Sequence, residues 1–187
     1  MEVSQALKQR RTIRKFTDKK IPKQDLIDLI EYARYCAYPA NVQPLRFMII
    51  DDEETLESIF PCTKWAGYLP DGAPKDGEKP TAYIAVLGDK EIKKKFDVEA
   101  GTAICAMMTG AADKGLGSCW LGAIKRDELL RIFGLDSEKY ELLYLLALGY
   151  PKQKSRVCEY NGSFKYFEDS DNVINVPKLG LDELIIK

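Results

Sequence analysis

The stretch from Phe96 to Lys114, "FDVEAGTAICAMMTGAADK", limits most tightly what this chain can build. It reads as the longest helix, and Gly115 behind it supplies the glycine stop that helices commonly use. Gly101, Thr102, Ala103, Ala106, Gly110 and Ala111 make its side chains unusually small. A helix of that kind lets another helix approach closely, so it belongs at the centre of the fold or in a subunit interface. Apolar runs at 46–52 ("RFMIIDD"), 81–89 ("TAYIAVLGD"), 117–123 ("GSCWLGA") and 140–150 ("YELLYLLALGY") read as strands. Helical spacing is found at 2–10, through Val3, Ala6 and Leu7, and from Pro22 to Arg34, through Leu26, Ile27, Leu29, Ile30 and Ala33. Shorter helices are predicted for 53–60 and 125–133. The pattern is α+β, with about four core strands.

The 187 residues suit one domain of ordinary size, expected over 1–160. Residues 161–187 turn polar and broken, and are expected to lie on that domain or on a partner subunit. Formal net charge is −1, with 28 basic and 29 acidic residues, which disfavours a dedicated nucleic-acid binder. No apolar run is long enough to span a membrane, and "MEVSQALKQRR" has no secretory h-region, so a cytoplasmic location is expected. Five cysteines without a CxxC spacing fit reduced thiols better than a disulfide framework or a zinc site, so no metal is expected. Histidine is absent. That removes Ser/His/Asp, Cys/His and HExxH chemistries together.

Four segments have the residue types that chemistry needs. "KQRRTIRKF", 8–16, sets five cations among nine positions. It is either a solvated helix end or an anion site; an extended Thr12–Arg14 would aim Thr12 and Arg14 to one side and Ile13 to the other. Forked guanidiniums beside a hydroxyl suit a phosphate monoester. In "AYPANVQP", the amides of Asn41 and Gln43 either cap turns or read the edge of a heterocycle. "KGLGSCWLGA" is no Rossmann fingerprint, because its glycines follow a helix and lead into a strand. Gly122 and Ala123 at its end can still offer backbone N–H groups to a planar ligand. In "LGYPKQKSR", Lys154 and Arg156 follow a strand end. The loop 61–80, with Trp65 and Tyr68, is long enough to suggest a function.

In this order and spacing, "RRTIRKF", "NVQP", "GLGSCWLGA" and "LGYP…KSR" resemble the nitroreductase family of flavin enzymes, over about residues 4–160. The resemblance implies an α+β sandwich with a central, mainly antiparallel sheet of four to five strands flanked by helices, in an intertwined homodimer with FMN at the interface. It implies that Arg10, Arg11 and Thr12 meet the FMN phosphate and ribityl chain, with Arg14 nearer N1 and O2 of the ring. Lys154 and Arg156 would complete the phosphate pocket. Tyr38, Pro39, Ala40, Asn41 and Gln43 would be offered to the cofactor, the loop residues across the dimer, and Leu121, Gly122 and Ala123 would lie near N5 and O4. Trp65 and Tyr68 are candidates for the substrate pocket. The implied reaction passes hydride from NADH or NADPH through the flavin to a small acceptor, a nitroaromatic, quinone or related compound, in ping-pong fashion. FMN storage without turnover, and nucleic-acid binding through residues 8–20, are the alternatives. Two positions depart from the family pattern: Ala37-Tyr38-Pro39 stands where a Pro-Ser-Ser run is common, and Gly122 where many members carry Glu.

Overall fold

Helices cover both faces of a four-stranded antiparallel sheet in the order β1-β2-β4-β3. In this computed structural model, which describes residues 2–186, the strands are β1 (Leu45–Ile50), β2 (Ala82–Asp89), β3 (Gly117–Leu121) and β4 (Tyr140–Gly149). Every residue of β2 is buried, which is why it reads as an unbroken apolar run instead of alternating. Its side chains divide by period two. Ala82, Ile84 and Val86 join Leu146 and Leu148 of β4 under α2 (Lys23–Arg34) and α4 (Asp97–Asp113). Tyr83, Ala85 and Leu87 join Leu145 and Ala147 in a second cluster with Ile59 of α3 (Glu53–Ile59) and Leu129 of α5 (Arg126–Ile132).

The small side chains of α4 do what their size allows. A Cβ on Gly110 would lie 2.3 Å from Cδ2 of Tyr32, so α2 crosses where only glycine fits. The crossing is clasped by Lys114, whose Nζ lies 2.8 Å from Asp25 and 2.7 Å from Asp28. Hydrogen bonds from Lys114 and Gln24 hold the Asp28 carboxyl below its ordinary range, and the two carboxylates raise Lys114. Beside the crossing, Thr102, Cys105, Ala106 and Thr109 line an open apolar groove with Tyr32 and with Val3 and Leu7 of α1 (Val3–Gln9). No helix among the described residues is long and apolar enough to cross a membrane.

The tail is more ordered than its composition led us to expect. β5 (Lys154–Glu159) pairs in parallel with β7 (Val173–Lys178), and β6 (Phe167–Glu168) pairs antiparallel with β7, making a second sheet of three strands; a short α6 (Leu181–Leu184) follows. A boundary at 160 therefore cuts between paired strands. Polar side chains fasten this sheet. Asn175, 4 % exposed, donates to Asp169 at 2.8 Å and accepts from Nε of Arg156 at 2.8 Å. Of its three strands only β7, with Val173, Ile174 and Val176, leaves a clear trace in hydropathy.

Candidate functional site

The basic segment is a backbone extension of the main sheet. After α1, residues 12–14 run along the free edge of β3, where Thr12 pairs in parallel with Ser118 and the Ile13 N–H donates to the Ser118 carbonyl at 2.9 Å. Arg14 N–H donates to Gln153 Oε1 at 3.0 Å, and Phe16, fully buried, bridges to Pro151. Extended backbone sends Ile13 inward, where it is 8 % exposed. It rests on Gly117, at which a Cβ would come within 2.8 Å of Ile13 Cβ. Inward anchoring of Ile13 leaves Thr12 and Arg14 for the opposite side.

Two neighbouring cavities share Arg10 and Arg11. One, of about 240 Å³, is also lined by Gly117, Ser118, Gln153 and Ser155. The other, of about 170 Å³, adds Thr12, Arg14, Tyr166 and Lys178. Arg11 Nε and Ser155 Oγ are both buried without a hydrogen-bond partner among the described residues. The rest of the Arg11 guanidinium donates to the carbonyls of Lys8 and Arg10. Burial, and then the charge of Arg10, makes Arg11 hold its proton less tightly than an arginine ordinarily does. A crowded cation and an orphaned hydroxyl on one cavity are both relieved by the same thing, an anion with several acceptor oxygens.

Strand alternation selects which residues of "PKQKSR" reach the cavities. Gln153 and Ser155 line the larger one, while Lys154 is exposed and lines neither. Arg156, expected at the anion, is engaged elsewhere: its Nη2 donates to Asp169 Oδ2 at 2.8 Å and its Nε to Asn175. The period-two pattern of "KQKSR" was the available signal for Ser155, and reading the stretch as a turn concealed it. Tyr166 and Lys178 are further residues that the sequence reading missed, since nothing local ties the tail to the basic segment. Tyr166 lies under the Arg14 guanidinium, 4.5 Å from ring centroid to Cζ, and meets the exposed Tyr68 edge-on with centroids 5.1 Å apart.

The other candidates separate into two groups. Lys64 N–H donates to the Ala123 carbonyl, Lys125 N–H to that of Cys62, and Thr63 bridges to Ile124, so the loop beginning at 61 is stitched to the chain just beyond β3. That brings Ala123 beside the start of this loop, at Lys64. The Leu121 side chain is buried in the second core cluster, so only its backbone is available to a ligand. Trp65 donates its indole N–H to Thr63 Oγ1 at 2.8 Å and stacks on Phe60, which accounts for it by packing. The loop of Tyr38, Pro39, Ala40, Asn41 and Gln43 lines neither basic cavity. Tyr38 turns into its own chain, donating to the Ala33 carbonyl at 2.8 Å, and burial pushes its hydroxyl up to about 12. Ala40 and Asn41 hold φ of 51° and 53°, the left-handed region that non-glycine residues enter at a cost. Gln43 Nε2 lies 3.4 Å from Asn41 Oδ1, so the two amides face each other on an exposed turn.

A helix-covered antiparallel sheet, with an arginine-bearing segment added to its edge strand, defines an α+β sandwich with two basic cavities along that edge. The comparisons give that class its family: the chain belongs to the nitroreductase family, whose model it matches over residues 7–150. It is 26 % identical over 163 residues to a protein of Archaeoglobus fulgidus named "Putative NADH dehydrogenase/NAD(P)H nitroreductase", covering 83 % of this chain and 88 % of that one. Among solved structures it resembles a "putative nitroreductase in complex with fmn" from Desulfovibrio desulfuricans, with a TM-score of 0.72 and 26 % identity over 100 % of this chain and 96 % of the other. An FMN-dependent nitroreductase from Clostridium difficile shares the fold at a TM-score of 0.68 and 23 % identity, covering 84 % of this chain and 91 % of that one.

Proposed function

We propose that this chain is an FMN-dependent oxidoreductase that takes hydride from NADH or NADPH and delivers it to a small acceptor, a nitroaromatic, a quinone or a related compound. The observation that carries this reading is the pair of unpartnered groups, Arg11 Nε and Ser155 Oγ, on one cavity beside Arg10. A phosphate monoester accepts from both and offsets the repulsion between neighbouring guanidiniums. Arg10, Arg11, Thr12 and Ser155 would hold the phosphate, and Arg14 would lend positive charge to the ring's electron-rich side. The backbone N–H groups of Gly122 and Ala123 would serve the ring's polar edge. FMN, when bound, supplies two-electron hydride chemistry that no side chain of this chain can. Lacking histidine, the chain leaves proton delivery to solvent, Tyr or Lys.

A homodimer completes this reading. The two basic cavities, about 240 and 170 Å³, are each below the usual range of roughly 300–1,000 Å³ for a ligand pocket. The strained Ala40–Asn41 turn, which serves neither cavity in its own chain, is the element we assign to the partner's cofactor, and the apolar groove on α4 is the face for a second copy. Alternating occupancy of one site by nicotinamide and acceptor makes the kinetics ping-pong. Five free cysteines suit a reducing cytoplasm. The test is anaerobic addition of NADH or NADPH to protein loaded with FMN. Bleaching of the flavin band, restored by a quinone or nitroaromatic, is expected. Bound FMN that neither nucleotide bleaches would make this a storage protein.

A further inference from the structure

On the face of the sheet under α3, a cavity of about 370 Å³ lies between Asp18, the α3 helix and the end of the long loop at 76–81. Its floor is Tyr83, 1 % exposed, whose hydroxyl has no hydrogen-bond partner among the described residues. The walls include Leu56, Phe60 and Pro80. Five carboxylates line it against two lysines, Lys20 and Lys79, and one of the five, Asp51, is answered by Lys23 at 2.8 Å. Negative charge is therefore in excess, and Asp18 and Glu53 have no ion-pair partner among the described residues.

The chain itself shows what such a cavity holds. Lys79 Nζ lies 3.0 Å from Glu57 and 3.4 Å from Asp76, and 4.9 Å from the centroid of the Phe60 ring. Two carboxylates and a ring face are a cradle for an ammonium group. A metal ion does not fit, because no group of three or more acidic, Cys or His side chains among the described residues is arranged to hold one. The phenol adds what Lys79 leaves unused, a buried polar atom near the Glu57 charge. A hydroxyl without a partner is costly in a low-dielectric floor, and a ligand N–H that reaches it removes that cost.

We propose that this cavity binds a small aliphatic primary amine in its ammonium form, with the carboxylates answering its charge, Leu56 and Phe60 its methylenes, and the Tyr83 hydroxyl accepting one of its N–H bonds. The cavity is distinct from the basic pair around Arg11 and does not depend on their reading. Calorimetric titration of the full chain with 1,4-diaminobutane, alongside tetramethylammonium, which has no N–H to donate, tests it. Saturable diamine binding that weakens with salt is expected. Tyr83→Phe should weaken the diamine about tenfold, the lower end for a hydrogen bond to a charged group, and leave tetramethylammonium unchanged. Lys79→Met keeps the apolar stem, frees Glu57 and Asp76, and should tighten the diamine severalfold, a gain that misfolding cannot produce. Absence of saturable binding in both wild type and Lys79→Met overturns the proposal. So does a Tyr83→Phe protein that binds diamine as wild type does, since the hydroxyl would then be a water site.

Discussion

Replacing Arg11 by Met should weaken cofactor binding while leaving apo stability nearly unchanged. The substitution keeps an unbranched apolar stem in a half-buried place and removes the guanidinium. In the free protein that guanidinium has one buried donor unpaired among the described residues and lies against the charge of Arg10, while its other nitrogens reach the carbonyls of Lys8 and Arg10. An unsatisfied buried donor costs about 1–3 kcal/mol, and the two hydrogen bonds that would be lost return about 0.5–1.5 kcal/mol each, so the terms offset and Arg11→Met should change apo stability by about 1 kcal/mol or less. With FMN present the loss is one-sided. A charge-assisted hydrogen bond to phosphate is worth about 1.5–3 kcal/mol, and at about 1.4 kcal/mol per decade FMN binding should weaken roughly ten- to a hundredfold. Ser155→Ala should lose about tenfold by the same arithmetic, and the double variant less than the product, because both groups answer one phosphate. The assay is flavin-fluorescence titration with FMN and with riboflavin, paired with urea denaturation of the apo protein. Riboflavin, which lacks the phosphate, should bind wild type and variants nearly alike. Equal losses for riboflavin and FMN would refute the phosphate assignment and return Arg11 to a structural role.

Gly117→Val should loosen the basic segment without touching a charge, because any Cβ there meets Ile13 Cβ at 2.8 Å and that atom has no torsion by which to escape; overpacking of about 1–3 kcal/mol and weaker FMN binding are expected, by denaturation and fluorescence titration, and unchanged affinity would show that the edge pairing is not what positions the arginines. The Lys114 clasp should shape the pH profile of stability. Asp28 has its folded pKa lowered, so its contribution is complete above the ordinary aspartate value, about 3.9, and is lost below that as pH falls through the lowered folded value; Lys114 has its pKa raised, so its part is complete below about 10.4 and is lost above that as pH rises towards the raised folded value. Lys114→Met should flatten both limbs in melting curves recorded from pH 3 to 11, and an unaltered profile would exclude the clasp as their cause.

Much of the main sheet could be read from the chain because its information is local. Continuous apolar runs mark β2 and β4, since strands covered on both faces need no polar side. Gly110 and its small neighbours mark a close helix crossing, since the absence of a Cβ acts on whatever lies nearest. The order of the arginine segment, the "NVQP" turn and the glycines before β3 carried the family. Contacts between distant segments were decided only in three dimensions. In the small β5-β7-β6 sheet only β7 is an apolar strand, and side-chain bonds among Asp169, Asn175 and Arg156 fasten it, so hydropathy records one strand of the three, and the same bonds engage Arg156 outside the basic cavities. Ser155 enters the site because β5 is a strand and not a turn, and one residue of alternation exchanges its side with Arg156. Tyr166 reaches Arg14 through the pairing of β6 with β7, a long-range contact with no local signature. Tyr83 looks like any core tyrosine in "TAYIAVLGD"; only the packing of α3 and the loop end over it shows a hydroxyl left without a partner among the described residues, in a cavity lined by carboxylates.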